Sequence, residues 1–219
     1  MMRFYYDEVG KTGLQFFGKM TASIAHEVKN VLAIINENAG LLNDFALLAQ
    51  KGRPLDPERL ENTAQNILRQ ISRADAIIKN MSDFSHSVDH FEKQIDFNEI
   101  VRRVIFLSSR LAAMRSVSII LADSEGAVVL DTNPFLLENL VWLTLSYAMD
   151  LSGPEKELIV RIGKEKDEIR FSLSTIDNLE NRFSNHSPSQ QLKALLAIMD
   201  AELVPDFINE KLLLRFSVK

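Results

Sequence analysis

An imidazole, a carboxylate and a carboxamide stand within five residues of one another at His26, Glu27 and Asn30. A neutral imidazole near pH 7 has a nitrogen lone pair that can attack a phosphoryl group and later surrender it. Glu27 can hold the far ring nitrogen in one tautomer and ease the charge developing there. Adjacent helical residues do not face one another, so that contact needs the full reach of the Glu side chain. Asn30 lies one turn on and shares the face of His26. The remaining neighbours are small or polar: Ala22, Ser23, Lys29 and Ala33, with Lys19 further along. Small side chains leave the ring open to a docking protein surface, and Lys29 can pair with phosphate or with an acidic partner. Taken alone, a surface histidine is usually only solvated, so the elements that carry it decide its meaning.

Other chemistry is sparse. The 219 residues contain no cysteine, which excludes disulfides, thiolate metal ligands and a cysteine nucleophile. His86 and His90 are one helical turn apart, and no further ligand cluster is evident apart from Asp83 and Asp89. A polar helix end is the expected reading, and no metal site. A P-loop and a Ser-centred nucleophile elbow are absent. Twenty-five Lys and Arg against thirty Asp and Glu leave a net charge of -5, which argues against a nucleic-acid binder. No apolar run is expected to span a bilayer, and residues 1–8 do not read as a signal peptide. The expectation is a cytoplasmic protein.

The element that must position His26 is a long helix. From Leu14 the apolar residues follow a heptad rhythm, one row being Leu14, Thr21, Val28, Ile35, Leu42 and Ala49, the other Phe17, Ile24, Val31, Asn38 and Phe45. His26 falls opposite that seam. Lys51-Gly52-Arg53-Pro54 ends the helix, and Asp56-Pro57-Glu58 caps the next. The second helix carries the rows Leu60, Ile67, Ala74, Met81, Val88 and Ala64, Ile71, Ile78. A short connection makes an antiparallel hairpin. Met20, Ile34 and Leu41 on one flank of the first seam, and Ala25, Leu32 and Ala39 on the other, make its apolar face wider than two helices need. Two copies would close a four-helix bundle, so a homodimer is expected.

The run Ser23-Ile24-Ala25-His26-Glu27-Val28-Lys29-Asn30-Val31-Leu32 resembles the phosphoacceptor box of the HisKA-type dimerisation domain of sensor histidine kinases. That box reads His-Glu, an apolar residue, a basic residue, Asn or Thr, then Pro-Leu; here Val31 replaces Pro. The resemblance implies that His26 carries phosphate. It also implies that Asn30 can orient a water against a partner's aspartyl phosphate. Without the proline the helix should be straighter than in that family.

After a polar hinge around residues 89–94, the second half reads as mixed helices and strands. Phe97 opens a helix through about Ala113, Ser118–Leu121 and Ala127–Leu130 are strands about a turn at 123–126, and Asn133-Pro134 caps a helix ending before Gly153-Pro154. Leu158–Ile162 and Ile169–Leu173 form a hairpin, Ser187-Pro188-Ser189-Gln190 caps a helix through Asp200, and Lys211–Val218 is a final strand. The expected fold class is α+β: a long helical hairpin over residues 1–92, then an α/β sandwich over 93–219. The order resembles the GHKL (HATPase) domain that follows HisKA domains. In the stretch resembling that family's Asn box, Leu143 and Tyr147 stand where two asparagines would face magnesium and nucleotide, and Asn139 lies upstream. Ser174-Thr175-Ile176-Asp177-Asn178-Leu179 replaces the glycine-bearing motif, with Asp177 a solvated loop residue. No glycine follows Gly163, and backbone that cradles phosphates generally needs glycine. The resemblance therefore implies a degenerate domain without ATP, metal or other cofactor.

The leading expectation is a histidine phosphotransferase that relays phosphate between response-regulator receiver domains through His26. Rivals are an aspartyl-phosphate phosphatase or modulator using Glu27 and Asn30, a kinase with residual activity, and a non-catalytic dimeric scaffold.

Overall fold

The computed structural model describes residues 2–123, 126–152, 156–165, 168–174 and 176–217, with side chains described only from Val9 to Phe216. Ser124, Glu125, Gly153, Pro154, Thr175 and Val218, named above in expected turns and strands, lie outside the described residues. The chain divides into two compact units, Thr21–Asp83 and Met1–Met20 with Phe84–Lys219. This division differs from the expected boundary at residue 92, because both the start of the first helix and residues 84–92 join the α/β unit.

Residues 21–83 form a helical hairpin. Helix α1 (Met2–Gln50) runs unbroken through Val31. It stops at Gly52, whose φ of 75° is the left-handed geometry of a Schellman ending. There the Gly52 N–H donates to Ala49 O at 2.9 Å and the Arg53 N–H to Leu48 O at 3.1 Å. Helix α2 (Pro57–Ser85) is capped by the Asp56 carboxylate, which accepts from the Glu58 N–H at 3.0 Å. Ile24, Val28, Val31, Ile35, Asn38, Leu42 and Phe45 of α1 are buried or half-buried, as the heptad predicts. Three contacts fix the antiparallel register. Arg73 meets Glu27, the Asn66 amide donates to Asn38 Oδ1 at 3.5 Å, and the Arg59 guanidinium lies 5.9 Å from the Phe45 ring centroid.

Two expectations of the rows fail. On α2 the second core row is Thr63, Gln70 and Ile77, and the expected row of Ala64, Ile71 and Ile78 is exposed. Two polar residues in the true row hide it from a hydrophobicity count. On α1, Leu14 is 78% exposed, because the first part of the helix packs on different neighbours. Its buried residues are Val9, Thr12, Gly13, Phe16 and Met20. The Phe16 ring meets Phe84 edge-on at 5.3 Å and Phe135 at 5.7 Å, and a Cβ on Gly13 would lie 3.0 Å from Phe135.

A further correction concerns the bilayer. Within α1, residues Val9–Gln50 contain a stretch long and apolar enough to cross a membrane by length and composition. Heptad apolar rows produce that signal as readily as a lipid-facing helix does.

The α/β unit has one five-stranded sheet, in the order β2 (Ser118–Leu121), β4 (Glu157–Glu165), β5 (Glu168–Ser174), β7 (Lys211–Ser217) and β6 (Ala201–Asp206). Only β2 and β4 are parallel. One face is apolar, with Leu158, Val160, Ile169, Phe171, Leu173, Leu212 and Leu214 buried, and the other carries Arg161, Arg170, Ser172 and Arg215. Helices α3 (Phe97–Met114), α4 (Pro134–Leu151) and α6 (Gln190–Ile198) supply the matching core; Phe97 packs edge-on against Phe171 and Phe216. Arg103 and the fully buried Glu138 tie α3 to α4 at 2.7 Å. The fold is therefore a helical hairpin followed by an α/β sheet domain, as expected.

The elements that the sequence pattern does not show are short. β1 (Lys93–Asp96) pairs with β3 (Val129–Thr132) and begins within the expected hinge, and α5 (Leu179–Asn185) and β6 have no counterpart among the expected elements. The α6 cap is Ser189, whose hydroxyl accepts from the Leu192 N–H at 3.1 Å, two residues later than the expected Ser187.

Candidate functional site

His26 is exposed, on the side of α1 away from α2. Ala22, Lys29, Asn30 and Ala33 are exposed too and lie within one or two turns of it. Ser23 is the exception. Only 2% of it is accessible, so it belongs to the packed side of α1 and not to an open docking face. Lys19 is exposed and belongs to the other unit. Among the described residues no hydrogen bond reaches the His26 ring or the Asn30 amide, so both keep their polar atoms for water or a partner.

Glu27 takes a different place from the one expected. Its carboxylate accepts from the Arg73 guanidinium at 2.5 Å across the hairpin. Arg73 is a site residue that the sequence pattern did not single out. In an antiparallel pair the two g positions face each other, and with Thr63, Gln70 and Ile77 in the core Arg73 is the g residue opposite Glu27. The His86 Nδ1–H donates to the Asp89 carboxylate at 2.7 Å, a local pair at the end of α2. No group of metal ligands occurs among the described residues.

Around Tyr147 the structure places a row of aromatic rings. Tyr147 is buried, its hydroxyl donates to the His186 carbonyl at 2.5 Å, and its ring meets Phe183 at 6.2 Å, which in turn meets Phe207 at 6.1 Å. Leu143 is half-buried. Asn139 is fully buried, and neither of its amide atoms has a hydrogen-bond partner. Asp177 is half-buried, and its backbone carbonyl accepts from Arg182 Nε at 2.8 Å.

Burial pushes the Tyr147 hydroxyl up from 10.0 to about 12. A raised value favours the neutral, folded form, so its contribution is complete below pH 10 and is lost as pH rises towards 12. Tyr147→Phe is expected to cost about 1 kcal/mol at pH 8. The wild type's margin over the variant should shrink between pH 10 and 12 in denaturant unfolding. An unchanged margin across that window would contradict the assignment.

Comparison with known proteins places the hairpin. Residues 18–88 match the family model of the His Kinase A (phospho-acceptor) domain. The matched segment, about a third of the chain, carries His26, Glu27, Asn30 and Arg73 and is similar to that domain. No curated protein sequence matches. Among solved structures, the chain is similar to the nucleotide-free catalytic domain of histidine kinase ThkA, at 12% identity over 58% of this chain and 95% of that one, with a TM-score of 0.46. It is also similar to the Acinetobacter baumannii histidine kinase AdeS, at 11% identity over 89% and 97%, with a TM-score of 0.44. ThkA in complex with the response regulator TrrA gives 18% identity over 100% and 66%, with a TM-score of 0.45.

Proposed function

We propose that the protein is a histidine phosphotransferase of a two-component phosphorelay, working as a homodimer in the cytoplasm and without ATP. The observation that carries this reading is the exposed imidazole of His26, unbonded among the described residues, in a hairpin that matches the His Kinase A domain model. In the forward step the neutral His26 nitrogen bonds to the phosphorus of a receiver's aspartyl phosphate. The bond between that phosphorus and the aspartyl oxygen breaks, and its electron pair leaves with the aspartate carboxylate. A second receiver aspartate reverses the sequence and takes the phosphoryl group from the ring. Such transfer asks mainly for positioning and charge compensation. The small side chains of Ala22 and Ala33 let a receiver approach closely, and Lys29 offers a cation for phosphate or for the acidic receiver site.

The α/β unit supports a role without nucleotide. Tyr147, Phe183 and Phe207 fill space beside α4, and the loops on either side of α5 contain no glycine. The hairpin supports a dimer through its e positions. Ala25, Leu32 and Ala39 of α1 and Ala64, Ile71 and Ile78 of α2 are exposed, and in an antiparallel pair the two e rows lie on one side. Register places Ala25 level with Ile78, Leu32 with Ile71 and Ala39 with Ala64. A second copy would cover this face.

Two incubations test the function. Radiolabelled ATP alone is expected to leave the protein unlabelled, and a panel of labelled phosphoreceivers is expected to label it within minutes. Label from ATP without any receiver would make it a kinase and overturn the reading. The exposed Asn30 amide favours a second activity, hydrolysis of the receiver's aspartyl phosphate. Inorganic phosphate released with His26→Ala still active would identify that activity in place of transfer.

A further inference from the structure

We infer that Arg73 is a positioning residue for His26, acting through Glu27; the inference rests on His26 being the phosphoryl carrier. The Arg73 guanidinium donates to Glu27 Oε2 at 2.5 Å, joining α2 to the residue next to the nucleophile. The Arg73 side chain is 51% exposed and that of Glu27 20%, so water reaches the pair and it opens readily. Held across the hairpin, the carboxylate stands on the g side of α1, and the ring of His26 on the outer side.

This arrangement decides what the ring experiences. A carboxylate free to swing to an imidazole stabilises the protonated ring and holds the proton to higher pH. A protonated ring has no lone pair for phosphorus. Arg73 therefore keeps Glu27 off the resting ring and preserves the nucleophile. Once nitrogen bonds to phosphorus, the ring gains positive charge, and Glu27 then lies between two cations and can turn to the ring. Arg73 thus sets when the carboxylate acts. Other charged groups near His26 are Lys29 and, seven residues earlier, Lys19 on α1, and Arg69 and Asp75 beside Arg73 on α2. The Arg69 guanidinium is engaged by Asn66.

The test is an NMR titration of the His26 Cε1–H in the full chain, its resonance assigned by its loss in His26→Gln. Arg73→Ala is expected to raise the His26 midpoint by roughly half a pH unit relative to wild type. Below that midpoint, phosphoryl uptake should fall about threefold, the ratio such a shift implies. Arg73→Lys should restore most of both. Removing a cation near an imidazole also raises its midpoint directly, so the same substitution is repeated in Glu27→Gln, where the shift should collapse. A rise of equal size in Glu27→Gln, or no rise at all, overturns the inference. If the coupled shift appears and no receiver labels the protein, the transfer reading fails and the positioning role stands. If receivers label the protein and the coupled shift is missing, transfer stands and the positioning role fails.

Discussion

His26→Gln is expected to abolish phosphoryl uptake from a labelled receiver, a loss of more than about a hundredfold. Glutamine has an amide in place of the ring nitrogen lone pair and cannot form the phosphoramidate. The ring is exposed and makes no hydrogen bond among the described residues, so the variant should fold as the wild type does. An exposed substitution of this kind changes stability by less than about 0.5 kcal/mol. Circular dichroism and the thermal midpoint serve as the control. Wild-type uptake by His26→Gln, in protein with the wild-type melting profile, would move the phosphoryl site elsewhere or leave the hairpin a scaffold.

The second large effect concerns the dimer. Ile71 is 44% exposed and Ile78 57% exposed on the single chain, a poor place for two isoleucines unless something covers them. Burying one such side chain stabilises by about 1.5–3 kcal/mol, and a two-fold axis counts each position twice. Ile71→Glu with Ile78→Glu should therefore weaken association by more than about a hundredfold while leaving each hairpin folded, because the new carboxylates point to water in the monomer. Light scattering at micromolar concentration is expected to show a dimer for the wild type and a monomer for the double variant. A monomeric wild type, or a double variant that stays dimeric, would contradict the expected closure.

The hairpin was legible because heptads, a glycine stop and an Asp-Pro start are strong local signals, and the exposed ring of His26 follows from its position opposite Ile24 and Val31. Arg73 was not legible for a related reason. Apolar Ala64, Ile71 and Ile78 look like core, and the residues that in fact face α1 include polar Thr63 and Gln70. Choosing the wrong row turns α2 about its axis and carries Arg73 away from Glu27. The same error concealed the α2 half of the dimer face, because Ala64, Ile71 and Ile78, which suggest an inner seam, are those that remain uncovered. Ser23 was misplaced because it is buried beside Ile24 on the packed side of α1, and a serine adds nothing to an apolar row. In the α/β unit, long strands with alternating burial such as β4 and β5 were readable, whereas β1 has only four residues and its outer half is exposed. The aromatic ladder from Tyr147 to Phe207 joins residues far apart in sequence, and no local pattern announces it.

The central claim is that one imidazole carries phosphate received from another protein. Peptide mapping of the chain after brief mixing with a phosphorylated receiver, under alkaline conditions that preserve phosphohistidine, locates the group directly. The expected result is a single added phosphoryl group on the peptide containing His26, present without ATP and chased off by an unphosphorylated second receiver. A phosphoryl group found on His86, His90 or His186 instead, or on no histidine at all while the receiver loses its own, would contradict the account.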